Sequence, residues 1–324
     1  MRKKATKTET ASSIPMRSWE SAEYEERGEI MKTDVFIKLF SDRHTGQEMA
    51  RDIEEGFRMF RECAARFTRF EKESELSRFN ASEGGQVSPG LFVLLQACVR
   101  FHALTGGIFD PSVLPDLERI GYGNAGNGHQ AAQGRTVSFR QLILDASAHT
   151  AYKPKDLRID LGGIGKGHIV DMVADHLSKK YRNGIVDAGG DMRVFGGDRG
   201  QRLDHWALDV ENPFDASQPI TTILITDCAV ATSGISRKHW EKAGTAYHHL
   251  IDPSQGTSAK TGVSQVTVIA PRAIDADVFA KTLFILGLGR GQAFAATHDI
   301  PALFVTEEKQ VIRNNLFQHY EWHA

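Results

Sequence analysis

Residues 158–177 read RIDLGGIGKGHIVDMVADHL, and this stretch organises the reading of the rest. A short apolar strand carries Asp160, a glycine-rich turn follows, and a helix begins with Ile169, Val173 and Leu177 on one face. Glycines let a backbone approach a ligand closely, N–H groups at a helix start favour an anion, and Lys166 adds a mobile positive charge, a set suited to a phosphate or pyrophosphate. The run follows neither the GxxxxGK[ST] nor the GxGxxG template, so by itself it reads equally well as a plain tight turn.

Upstream, residues 34–40 (DVFIKLF) alternate like a strand, and residues 47–69 place Met49, Ile53, Phe57, Phe60 and Ala64 at helical spacing. Residues 88–104 (SPGLFVLLQACVRFHAL) start with Ser then Pro, as a capped helix should, and stop at Thr105-Gly106-Gly107. The run at 121–134, GYGNAGNGHQAAQG, reads as a surface loop. Strands are expected at 141–144, 157–161, 184–186, 193–195, 206–210, 220–225, 230–231, 265–269 and 302–305, with helices at 167–181, 275–286 and 289–297. Strands outnumber helices without alternating strictly with them. An α+β domain with a mostly antiparallel sheet and flanking helices is therefore expected, over a doubly wound one.

The chain has 324 residues, 41% hydrophobic and 25% charged, with a formal charge of −2. That composition suits a globular protein and lacks the Lys/Arg surplus that neutralises nucleic-acid phosphates. Cys63, Cys98 and Cys228 are widely spaced and odd in number, which fits neither a disulfide framework nor a zinc site. Residues 1–28 are polar and charged and are expected to be a mobile tail before a domain spanning 29–324. They contain no apolar run of the signal-peptide kind, and no stretch reaches the ~18 apolar residues that span a bilayer, so no membrane insertion and a cytoplasmic location are expected.

Three further clusters stand out. VDAGGDMRVFGG at 186–197 removes side chains at Gly189 and Gly190, where a ligand could approach, although a hairpin with a bulge explains it as well. ATSG at 231–234 offers Ser233 beside a glycine. YHHLIDPSQG at 247–256 pairs two histidines with an Asp-Pro turn, and Asp277 sits in the first turn of its helix, suited either to the helix dipole or to a hard metal ion.

Taken in order, MKTDVFIKL (31–39), TRFEKESELSRFN (68–80), TGGIFDPSV (105–113), IDLGGIGKGHIVD (159–171), VDAGGD (186–191), ATSG, HHLIDPSQG (248–256) and ADVFAKTLFILG (276–287) resemble the ApbE family of FAD:protein FMN transferases. The resemblance implies FAD contacts at Met31, Phe70, Ile108, Phe109, Asp110, Asp160, Lys166 and Ile251, with Phe70 standing where the family usually has Tyr. The glycine turn at Gly189-Gly190 and Ser233 join this set as candidate cofactor contacts. His249 matches the position thought to assist proton transfer, and Lys166 would stabilise charge on the phosphates. The family's Mg²⁺ would be held at the positions of Gly163 and Asp277 and by a Thr hydroxyl at the position of Lys281, where this chain has an ammonium instead.

The function implied is Mg²⁺-dependent transfer of FMN from FAD to a Thr or Ser hydroxyl of an acceptor flavoprotein, with release of AMP. The alternatives are a catalytically idle FAD-binding protein, in which Lys281 has replaced a metal ligand, and an FAD pyrophosphatase that passes FMN to water, giving FMN and AMP.

Overall fold

A computed structural model describes residues 22–30, 32–123, 137–198, 200, 203–236 and 239–323. In chain order the elements are β1 (Ala22–Ile30), β2 (Thr33–Ser41), α1 (Gly46–Phe67), α2 (Glu75–Asn80), β3 (Gly84–Gln86), α3 (Pro89–Leu104), α4 (Leu114–Arg119), β4 (Ile143–Asp145) and β5 (Thr150–Tyr152). They continue with α5 (Gly165–Leu177), β6 (Asn183–Ala188), β7 (Asp191–Phe195), β8 (Trp206–Val210), β9 (Thr221–Ile225), β10 (Ala229–Gly234), β11 (His239–Lys242) and β12 (Thr245–His248). The last are β13 (Ile251–Asp252), β14 (Thr257–Ser258), β15 (Val263–Ala270), α6 (Ala273–Thr297), β16 (Ala302–Thr306), β17 (Val311–Arg313) and α7 (Asn315–Gln318).

The main sheet runs β1-β2-β6-β7-β10-β15-β16-β17 with antiparallel neighbours, the α+β architecture expected. One face is covered by α1, α5 and α6. Here Ile37, Ile53, Phe57, Val173, Val266 and Phe284 pack in a single cluster. The other face is covered by the β8–β9 hairpin and α7, around Trp206, Ile223 and Phe317. With both faces covered, all eight residues of β15 are buried, the polar Ser264, Gln265 and Thr267 among them. A satellite core under α2, α3 and the small β3-β5-β4 sheet gathers Leu95, Phe101, Phe109 and Ile159.

Local chemistry sets the helix ends. Thr45 and Glu48 form a reciprocal capping box at α1, the Glu48 N–H donating to Thr45 Oγ1 at 3.3 Å and the Thr45 N–H to Glu48 Oε2 at 2.8 Å. Ser88 accepts from the Leu91 N–H at 3.2 Å to start α3 ahead of Pro89. Gly287 (φ 74°, ψ 178°) breaks α6 at the point where two helices were expected to meet.

The structure corrects several expectations. β1 pairs along its length with β2, from Ala22 opposite Ser41 to Ile30 opposite Thr33, so the fold includes residues assigned to the tail. Its side chains are charged because β1 is an edge strand with little burial. Residues 157–161 are not a strand. The Asn80 side chain takes the place of a neighbouring strand there, receiving the Ile159 N–H and donating to the Ile159 carbonyl, each at 2.8 Å. The piece at 141–144 begins as a 3-10 turn, Phe139–Gln141, and becomes strand only at Ile143. Most of the expected loop, from 124 onward, lies outside the described residues. Among the described residues, no helix is long and apolar enough to cross a membrane.

Candidate active site

A cavity of about 860 Å³ opens where the β6–β7 turn, the α5 N-terminus, β10 and the loops around Phe70, Phe109 and His249 converge. Its volume lies toward the upper end for small-molecule sites. Phe70, Ile108, Phe109, Asp110, Asp160, Gly163, Lys166, Gly189, Gly190, Ser233, His249, Ile251 and Lys281 all line it. Asp277 is fully buried just behind Lys281, and Met31 lies outside the described residues.

The β6–β7 connection is a two-residue turn in which Gly189 (φ 66°) and Gly190 (φ 94°) both take positive φ, as the hairpin turn of matching twist requires. Its effect is to deliver Asp191, the first residue of β7, to the α5 N-terminus. There the Asp191 carboxylate is buried and receives the Lys166 ammonium. Burial alone would lower the Lys166 pKa, but the Asp191, Asp277 and Asp187 carboxylates outweigh it and push it up to about 12. Burial and the neighbouring Asp277 carboxylate move Asp191 upward as well.

α5 and α6 lock together at their starts. Asp171 of α5 accepts from the Ala273 N–H (2.9 Å) and the Ile274 N–H (3.0 Å), the free donors of α6. In return Asp277 Oδ2 of α6 accepts the Gly167 N–H of α5 at 3.2 Å. A Cβ at Gly167 would lie 2.5 Å from the Ala273 carbonyl oxygen, so only glycine permits this approach. The glycine turn therefore differs from a cradle of open amides. The N–H groups of Gly162, Gly165 and Gly167 are held by Asp160, Leu161 and Asp277, and that of Gly190 by Asp187. Beside Gly162, Gly163 and Gly165, this corner turns the Lys166 and Lys281 side chains toward the cavity.

The expected metal position needs correction at Lys281. Its ammonium donates to Asp277 Oδ1, across one helical turn, and its stem lies against Gly163, with Cδ 3.7 Å from where a Cβ would be. An ammonium has no lone pair to offer a metal. Both Asp277 oxygens are engaged, one by Lys281 and one by Gly167. A divalent ion about 4 Å from an ammonium would be repelled by about 8 kcal/mol, taking ~4 kcal/mol per pair of unit charges at an effective dielectric of about 20. Among the described residues no group of three His, Cys, Asp or Glu side chains converges to hold a metal ion. The residues present do not fit Mg²⁺.

The adjacent histidines separate into two roles. His248 is anchored, its Nε2 2.9 Å from the Ala259 carbonyl and its Nδ1 accepting the Leu250 N–H at 3.3 Å, which fixes the neutral Nε2–H tautomer. Burial lowers its pKa. His249 instead faces the cavity and stacks on Tyr122, with ring centroids 6.1 Å apart. Tyr122 in turn stacks on Trp240 of β11 at 5.2 Å. Trp240 donates to the Ile120 carbonyl at 2.8 Å, so the β11–β12 hairpin is tied to the end of α4.

Sequence reasoning passed over Asp191, Arg69 and Tyr122. Arg69 pairs with Asp160 at 2.6 Å and covers the Phe70 ring at 4.3 Å, holding two candidate contacts at once. The signals were adjacency to Phe70 for Arg69 and the position directly after Gly189-Gly190 for Asp191.

Comparison with known proteins follows the same lines. Residues 31–304 match the ApbE family. The FAD:protein FMN transferase of Treponema pallidum is 29% identical over 313 residues, covering 89% of this chain and 86% of that protein. The Vibrio cholerae protein of the same name is 32% identical over 261 residues, covering 77% and 78%. The crystal structure of the ApbE protein of Thermotoga maritima superposes with a TM-score of 0.83 at 28% identity, over 93% of this chain and 100% of that one.

Proposed function

This chain belongs to the ApbE family, and from that premise we propose that it is a flavin transferase moving FMN from FAD to a Thr or Ser hydroxyl of an acceptor protein, with release of AMP. The observation that carries this reading is the cavity, large enough for a dinucleotide, in which Lys166 and Lys281 face the same space as His249 and the Phe70–Arg69–Asp160 group.

In this reading the pyrophosphate lies against the two ammonium groups, and the aromatic wall of Phe70, Tyr122 and Phe109 receives the ring systems. The acceptor hydroxyl oxygen forms a bond to the FMN phosphorus as the bridging P–O bond to AMP breaks. His249 takes the hydroxyl proton, and AMP leaves with the bonding pair on its phosphate oxygen. Lys166, held in place by Asp191, meets charge that builds on the phosphoryl oxygens. The Mg²⁺ that the resemblance implies has no step here, because Lys281 already occupies Asp277. The acceptor is a flavoprotein, and the reaction belongs in the cytoplasm.

A second reading, FAD binding without chemistry, is favoured by that same Lys281–Asp277 pair. Incubation with FAD and proteins of the host, followed by in-gel flavin fluorescence and an AMP assay, separates the possibilities. Covalently labelled acceptor with AMP supports transfer. AMP without label points to a pyrophosphatase, and bound FAD without AMP to an inactive binder.

A further inference from the structure

Lys166, Asp191, Asp277 and Lys281 form one alternating cluster, two ammonium groups against two buried carboxylates, on the wall of the cavity. Asp277 joins the halves. Its Oδ1 takes the Lys281 ammonium and its Oδ2 the Gly167 N–H, one residue from Lys166. Lys281 is only 13% exposed along its side chain, with its stem against Gly163, yet it belongs to the cavity lining. A lysine in such a setting is neither a surface charge nor a bystander on the helix. Its cation is fixed at the point where the implied metal would need the carboxylate.

We propose that Lys281 is a tethered cation that replaces a divalent metal in this chain, so that the pyrophosphate of FAD is bound and cleaved without Mg²⁺. This rests on the flavin-transferase reading. The chemistry balances without a metal: the acceptor oxygen bonds to phosphorus, its proton passes to the base, and the bridging P–O bond breaks with its electron pair on AMP. The two lysine ammoniums meet the charge that a metal would otherwise neutralise. Magnesium is content with one or two carboxylates plus phosphate oxygens, so few carboxylates alone would not decide the matter. The engagement of Asp277 by Lys281 does.

The experiment measures FAD affinity by flavin fluorescence in EDTA and in millimolar Mg²⁺ at matched ionic strength, and Mn²⁺ binding by electron paramagnetic resonance. The intact protein should bind FAD with equal affinity in both buffers and leave the Mn²⁺ signal that of FAD and Mn²⁺ without protein. Lys281→Thr should make binding metal-dependent, weakening it at least about tenfold in EDTA with recovery in Mg²⁺, and should acquire a protein-bound Mn²⁺ signal. The double variant Asp277→Asn/Lys281→Met, neutral throughout and so free of a stranded buried charge, should lose at least about tenfold in both buffers. FAD binding by the intact protein that collapses in EDTA and returns with Mg²⁺, or Mn²⁺ held by the intact protein, would overturn the proposal. Metal-free FAD binding with neither AMP nor labelled acceptor would sink the transferase reading and, with it, metal-free cleavage, and would support only the replacement of the metal by Lys281 in FAD binding. Absence of FAD binding in both buffers would sink both.

Discussion

Gly167→Ala tests the contact between α5 and α6 on which the charge cluster is mounted. The added methyl would sit 2.5 Å from the Ala273 carbonyl oxygen, 2.7 Å from Ile274 Cα and 2.8 Å from the Ala273 carbonyl carbon, all backbone atoms with no rotamer to give. The helices must separate, straining three hydrogen bonds at once: Gly167 to Asp277, and Ala273 and Ile274 to Asp171. Overpacking of this kind costs about 1–3 kcal/mol and a lost helix cap about 1 kcal/mol, together roughly 3 kcal/mol. An unfolding entropy of ~2.1 cal/mol/K per residue over 324 residues gives roughly 0.7 kcal/mol/K, so the melting temperature should fall by about 4 °C. Gly165→Ala is the control. Nothing lies within 4 Å of its Cβ position, so it should melt with the parent or slightly above. Thermal melts by circular dichroism, paired with FAD titrations, make the comparison. Gly167→Ala should lose FAD affinity as well as stability, because Asp277 and Lys281 move with α6. A Gly167→Ala melting curve that overlays that of Gly165→Ala would refute the claim that this approach is tight.

Replacing His249 with Ala should leave FAD affinity near the parent value while slowing FMN transfer by about 10²–10⁴-fold, a split visible in separate binding and turnover assays. The depressed pKa of His248, caused by burial, means that below its ordinary value of 6.5 the unfolded chain binds more protons than the folded one. Stability should therefore fall as pH drops from 7 toward 5, and the slope should be shallower in His248→Gln, whose amide can still donate to Ala259; denaturant midpoints across that range are the check. Asn80→Ala strands the buried Ile159 N–H and carbonyl and should cost about 2–4 kcal/mol, read from chemical denaturation.

The parts of the fold with one dominant signal were legible. β2 and α1 announce themselves by period, and α3 by its cap as well, since Ser88 stands where a helix start needs a side-chain acceptor. β1 was hidden because an edge strand that buries little keeps a charged, loop-like sequence. Residues 157–161 misled for the opposite reason: Leu157, Ile159 and Leu161 are buried in alternation with Arg158 and Asp160, as in a strand, but the backbone partner of Ile159 is the Asn80 amide, 79 residues away, and no local pattern reports that. In the site, glycine clusters marked the turns correctly but not what their amides do. The spacing of Asp277 and Lys281, four apart on a helix with the acid first, was in the sequence as a pairing signal. What sequence could not supply is that Asp277 also spans to Gly167 and thereby ties the pair to Lys166.

That tie has a consequence in time. Gly167 and Asp277 are 110 residues apart, so at synthesis rates of roughly 5–20 residues per second the ribosome adds the second half of the cluster between about 5 and 20 s after the first. In that interval the Gly167 N–H of α5 lacks its Asp277 partner, and β7, although able to pair with β6, lacks its other neighbour β10 until more chain emerges. A nascent chain can thus present Lys166 and Asp191 but not a complete cavity, whose wall also needs His249, Ile251 and Lys281. Flavin capture should begin only near the end of translation, and chains truncated before α6 should be unable to draw FAD from the cellular pool.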